Sequence, residues 1–248
     1  MRNLLLSATL LLCHYFVTAQ QNFWQPAEES AIGKDLFTER QKPAAYKIFQ
    51  LNESAFATAT GLAPSEKSIP ASQSTSVIGI PNAEGRIENF RVVDAPVMDP
   101  LLAARYPGIR SYAGVSVTDP SVTIRFSVSP QGVSAMILSA SRPTIYIDPL
   151  SDNYYLVVSR TDVSNYRQPF TCETMNAIAE VADTPASTLR NADDGRLRTY
   201  RLALVASGEF SQYWLNGTET TDAERKAKVL AAMNDKMTRV NGIYERDF

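Results

Sequence analysis

The sequence predicts an α+β protein, with a β-rich barrel or sandwich over residues 20–160 and the opening strand and long helix of an α/β unit over 197–248. Three observations predict it. Short apolar runs bounded by Gly, Pro or Asn recur between about 44 and 160. Residues 161–196 lose that alternation and read as a linker, with Asp183-Thr184-Pro185, Asn191 and Asp193-Asp194-Gly195. A fully apolar run then precedes a segment whose apolar residues recur at helical spacing.

Composition narrows the function. A chain of 248 residues that is 44% hydrophobic and 20% charged is too apolar to be disordered. Lys plus Arg number 24 against 26 Asp plus Glu, a net charge of −2 without a long block of one sign, so a polyanion-binding surface is not expected and nucleic acid is not a partner. The sequence has one histidine, His14, inside a segment that reads as cleaved. A Ser-His or Cys-His nucleophile pair and a histidine-ligated zinc are therefore excluded from the rest of these residues.

Residues 1–19 have the form of a secretory signal peptide: Arg2, the apolar run Leu4 to Leu12, and the small-residue end Val17-Thr18-Ala19. The protein is expected to be secreted, with Cys172 as the only cysteine after cleavage and so no intrachain disulfide. No later run is long and apolar enough to predict a membrane span.

Within the β-rich part, strands are expected around Tyr46–Leu51, Val77–Ile80 and Phe90–Val93. The clearest sets Val122, Ile124, Phe126 and Val128 against Ser121, Thr123, Arg125, Ser127 and Ser129, a period of two that predicts one buried and one wet face. Ser129-Pro130-Gln131-Gly132 turns it into Val133–Leu138, and Thr144–Ile147 and Tyr154–Val158 follow. A short helix is expected from Asp99 to Tyr106, capped by Asp99 with Pro100 in its first turn. Trp24 and Trp214 are read as packing residues.

After the linker, Thr199–Ala206 is expected as a strand buried on both faces. A helix then starts at Thr221, whose hydroxyl and the Glu224 side chain form a capping box. Val229, Met233, Met237, Val240 and Tyr244 share one face, most simply as core packing. One strand and one helix cannot bury both of their apolar faces, so the sequence is expected to be the N-terminal part of a longer precursor.

These residues also carry a resemblance. Arg198 to Ala206, followed after a spacer by Met237 to Asp247 with Val240-Asn241-Gly242-Ile243-Tyr244, resembles the start of a reprolysin-like, adamalysin-type zinc metallopeptidase domain, a metzincin-type fold. Phe90 to Met98, Leu102 to Ile109 and Thr144 to Pro149 are similar to the propeptides of secreted bacterial members, notably of Bacteroidetes-type bacteria. The resemblance implies a β-rich propeptide that assists folding and keeps a downstream catalytic domain latent. It also implies zinc in the full-length enzyme, held by a His-Glu-x-x-His motif whose water attacks peptide bonds of protein substrates. That motif is not in this sequence, which alone is expected to be inactive and to bind no cofactor. Arg201 stands where many members have a calcium-binding Glu, so calcium is not carried over.

Two features of the linker have two readings each. Arg190, Arg196 and Arg198 suit a processing site and equally a solvated loop. Cys172 suits a cysteine switch that ligates the zinc, although Phe170-Thr171-Cys172-Glu173 lacks the Gly of the animal motif; it also suits a free, partly buried cysteine. A different class of function fits the same strands: a non-enzymatic secreted binding or adhesin-like module. Asp193 and Asp194 as a hydrolytic carboxylate pair are outweighed by a solvated turn.

Overall fold

A computed structural model describes residues 22–32, 42–163 and 202–247. Nine strands form one antiparallel sheet: β1 (Trp24–Ala27), β2 (Lys47–Leu51), β3 (Val77–Pro81), β4 (Ile87–Asp94), β5 (Arg110–Ser116), β6 (Thr123–Ser129), β7 (Gly132–Leu138), β8 (Ile145–Ser151) and β9 (Tyr154–Ser159). Their order is β1-β2-β9-β8-β7-β6-β5-β4-β3. From β3 to β9 the sheet is a meander of neighbours, and β2 returns to pair with β9. The end strands β1 and β3 approach each other, and Trp24 Nε1 donates to the Gly79 carbonyl at 3.0 Å across the gap, so the sheet curls into a nearly closed barrel.

Alternation along each strand puts one side chain in two inside. Phe49, Leu51, Ile78, Ile80, Phe90, Val92, Tyr112, Ile124, Phe126, Val133, Ala135, Ile147, Tyr155 and Val157 form the continuous core. Burying a large apolar side chain fully contributes roughly 1.5–3 kcal/mol. Helix α1 (Glu53–Gly61) closes one end. Asn52 caps it by accepting from Ala55 N at 3.1 Å, and fully buried Phe56 meets Trp24 and Phe126 edge-on, with ring centroids 5.8 and 5.9 Å apart. Buried Tyr155 accepts from Val133 N at 3.1 Å and donates to Glu53 Oε1 at 2.5 Å; burial, and then Glu53, push its phenol above the ordinary range.

The strands expected at 46–51, 77–80, 90–93, 122–128, 133–138, 144–147 and 154–158 are all present, as is the hairpin at 129–132, where Gly132 takes a φ of +106° that disfavours other residues. Helix α2 (Pro100–Arg105) is capped by Asp99, whose carboxylate accepts from Leu101 N at 2.9 Å. Arg160–Val163 form one helical turn, α3, at the start of the expected linker. Strands β1 and β5 and helices α1 and α3 exceed the expectation, as does a helix at Gly208–Trp214 beyond the linker.

Beyond the linker lie α4 (Gly208–Trp214) and α5 (Asp222–Asp247). The expected capping box is formed: Glu224 N donates to Thr221 Oγ1 at 3.2 Å and Thr221 N to Glu224 Oε2 at 3.0 Å. Two expectations here are corrected. Of the strand expected over Thr199–Ala206, the described residues 202–206 belong to no strand, and Leu202 and Leu204 are 66% and 47% exposed rather than buried on both faces. The two edges of the sheet, β1 and β3, face each other across a gap bridged by the Trp24 indole, and among the described residues no strand pairs with this segment. The helical stripe is not core either. Val229, Met233 and Met237 are half-buried, and Val240 and Tyr244 are exposed.

Candidate functional site

The side chains that α5 does bury are Ala231, Ala232, Asn234 and Thr238, together with the backbone at Gly242. Small and polar residues at three- and four-residue spacing let a helix approach closely and leave hydrogen-bonding groups at the contact. They meet the outer face of β5 to β8. That face was expected to be wet on β6, yet Arg125 and Ser127 are 7% and 1% exposed, because α5 covers them.

Sheet register builds the receiving surface. Ser111 of β5 partners Ser127 of β6, and Ser127 partners Ser134 of β7. Ser134 Oγ donates to Asp148 Oδ1 of β8 at 3.0 Å, so three serines and one aspartate form a row across four strands. Helix α5 reads this row in order. Ser111 Oγ donates to Asn234 Oδ1 at 3.1 Å and lies 2.9 Å from Thr238 Oγ1. Ser127 Oγ donates to the Asp235 carboxylate. Arg239 Nη2 donates to Ser134 Oγ at 2.7 Å and to Asp148 Oδ1 at 2.5 Å.

The adjoining row is Ala113, Arg125, Met136 and Tyr146. Arg125 forms an ion pair with Glu245 through Nε, at 2.9 Å, and Nη2. The Arg239 guanidinium lies 5.4 Å from the centroid of the Tyr146 ring. Gly242 is required at this crossing, since a Cβ there would stand 2.7 Å from Arg125 Cγ. At the other end of the seam, Gln131 Nε2 donates to the Lys228 carbonyl at 2.9 Å.

Burial is the largest influence on Asp235 and raises its pKa to about 6; Asp148 raises it further, while the Ser127 hydroxyl, Arg239 and Lys236 act the other way. Asn234 Nδ2 and Arg239 Nε are buried without a hydrogen-bond partner, a cost that a permanent hydrophobic contact would avoid. Beside the seam, α4 leans on α5, with Lys236 Nζ 5.4 Å from the Trp214 ring centroid. Asp148, Tyr213, Trp214, Lys236 and Arg239 help line a cleft of about 730 Å³ there.

The residues expected to act on chemistry are placed unevenly. Cys172, Arg190, Arg196 and Arg198 lie outside the described residues, as do the signal segment, Arg201 and Asp193-Asp194. Val240, Asn241, Ile243 and Tyr244 lie on α5, with Val240, Ile243 and Tyr244 37%, 41% and 61% exposed. Among the described residues no three His, Cys, Asp or Glu side chains are grouped so that they could hold a metal ion. No helix among them is long and apolar enough to cross a membrane.

The serine row escaped the sequence reading, since it exists only once four strands are in register. Its one visible trace is the outward set on β6, Arg125 and Ser127, which has small hydroxyls where a solvated face favours Lys and Glu. Searches against protein-family models, curated proteins and solved structures find no match to this chain.

Proposed function

We propose that the chain is the N-terminal part of a secreted zinc metalloendopeptidase precursor, in which the barrel is a propeptide that carries the opening helix of the catalytic domain. One observation supports this most: α5, which bears the family-like Val240 to Tyr244, meets the barrel through polar side chains beside the small Ala231 and Ala232 and leaves its larger apolar stripe half-buried or exposed. A contact made of hydrogen bonds and ion pairs separates at lower cost than a shared apolar core, because its groups can be rehydrated. That suits a propeptide, which has to guide a partner and then leave it. The half-buried and exposed stripe Val229, Met233, Met237, Val240 and Tyr244 would be the surface on which the rest of the catalytic domain packs. Zinc would belong to that downstream domain, and Cys172 would be its candidate latency ligand.

The test is the full-length precursor, read through the gene beyond Phe248 and assayed for peptidase activity. The expected result is a downstream His-Glu-x-x-His motif and chelator-sensitive proteolysis that rises when the barrel is removed. If the motif is absent, the secreted binding-module reading takes over.

A further inference from the structure

We propose that the loop between α4 and α5 holds a self-modifying site, at which Thr218 and Glu219 drive the conversion of Asn216 into aspartate or isoaspartate with loss of ammonia. The site stands independently of the propeptide reading.

The sequence contains two Asn-Gly pairs, Asn216-Gly217 and Asn241-Gly242. In such a pair the glycine puts no side chain beside its own peptide nitrogen, which is therefore open to attack the amide carbon of the preceding Asn. The fold treats the two pairs differently. Asn241 and Gly242 lie within α5, where the helical ladder occupies the peptide N–H groups and a ψ of about −42° has to unwind before a five-membered ring can close. Gly242 is also buried, against Arg125. Asn216, Gly217 and Thr218 are exposed and belong to no helix or strand. Gly217 takes a φ of +82°, with open space where a Cβ would stand.

The groups around Asn216 match what the reaction needs. Thr218 N and Thr218 Oγ1 both donate to Asn216 Oδ1, at 3.2 and 2.6 Å. They curl the amide back over its own following peptide and stand where negative charge develops on that oxygen. Gly217 N, the attacking nitrogen, donates to Glu219 Oε2 at 3.2 Å, so a carboxylate already holds the proton that has to leave. The other Glu219 oxygen pairs with Lys228, and the Glu219 carbonyl accepts from Arg225 Nη2 at 3.4 Å, which anchors the base to α5. The hydrogen bond from Lys228 also holds the Glu219 carboxyl below its ordinary range, so it is ionised in mild acid as well as at neutral pH.

The chemistry consumes only water. Gly217 N bonds to Asn216 Cγ and passes its proton to Glu219, while Oδ1 takes the negative charge. The Cγ–Nδ2 bond then breaks, the proton returns from Glu219 to the departing nitrogen, and ammonia leaves behind a succinimide ring. Water opens that ring at either carbonyl, giving aspartate or isoaspartate without any change of oxidation state. Either product adds a negative charge beside Glu219, and isoaspartate also lengthens the backbone that joins α4 to α5.

The whole chain is incubated at pH 7.4, folded and in parallel unfolded in guanidinium, and the peptides containing residues 216 and 241 are followed by mass for amide-to-acid exchange. Folded Asn216 should react at least about tenfold faster than the same residue in the unfolded chain, the effect of one charge-assisted hydrogen bond in the transition state. Folded Asn241 should instead react more slowly than when unfolded. Glu219→Gln keeps an acceptor but removes the base, and Thr218→Val keeps the shape but removes the hydroxyl; each should slow folded Asn216 by about tenfold. Glu219→Gln should also steepen the rise of the rate with pH, since hydroxide must then take the proton that the carboxylate took. A folded Asn216 no faster than the unfolded one, equal folded rates at Asn216 and Asn241, or a wild-type rate in either variant would overturn the proposal.

Discussion

Strand β6 separates two kinds of packing by the thickness of one backbone. Toward the barrel axis, Ile124 and Phe126 sit among aromatic and aliphatic side chains that no water reaches. On the other side Arg125 and Ser127 are buried as well, but under a helix that bonds to them. Both faces are dry and only one is apolar. Burial measured residue by residue would count the two as one core; the chemistry of the partners distinguishes an apolar interior from a hydrogen-bonded joint.

Breaking the interior should have the largest effect. Phe126→Ala removes a fully buried ring that stacks on Tyr112 at 4.8 Å and meets Phe56 edge-on. It should cost about 3–5 kcal/mol in denaturant unfolding and take the whole barrel with it. A smaller, local effect is expected from Gly242→Ala, whose new Cβ runs into Arg125 Cγ. Overpacking of this kind costs about 1–3 kcal/mol, and hydrogen exchange should place the loss in α5 while β6 keeps its protection. A barrel that lost stability equally in both variants would make the two faces one cooperative core. The smallest effect belongs to the outward stripe: Val240→Ser should change α5 protection in this chain by no more than about 0.5 kcal/mol. A larger loss would place that stripe within the joint.

The elements that could be read from the sequence are those whose residues advertise a period. The alternation of β6 and the i, i+4 spacing and capping box of α5 were visible because local geometry alone sets them. Strand β5 was hidden by Ala113-Gly114 at its centre, residues of low strand propensity, yet the fold needs Gly114, since a Cβ there would stand 2.9 Å from the Arg91 carbonyl oxygen. Helix α1 was hidden because only Phe56 and Thr60 of its residues are buried, too few for an apolar period. Strand β1 is four residues long and contains Pro26. The α5 stripe was legible as a stripe, but a period reports which residues share a face and not what that face meets. The serine row depends on partners in β5, β6, β7 and β8, a relation that no linear window contains.

The return of β2 to the far end of the meander also sets a timetable. Between β3 and β9 each strand finds its neighbour directly along the chain, so those pairings are local, the longest connection being the segment 95–109 that carries α2. Ile48 meets Leu156, more than a hundred residues later, and β1 can pair only with β2. Until β9 exists, the apolar side chains of Trp24 and Phe49 have no permanent place to go. The interval in which the N-terminal strands await β9 is therefore expected to be the slow and aggregation-exposed stage of folding, with the indole bridge to Gly79 formed only once it closes.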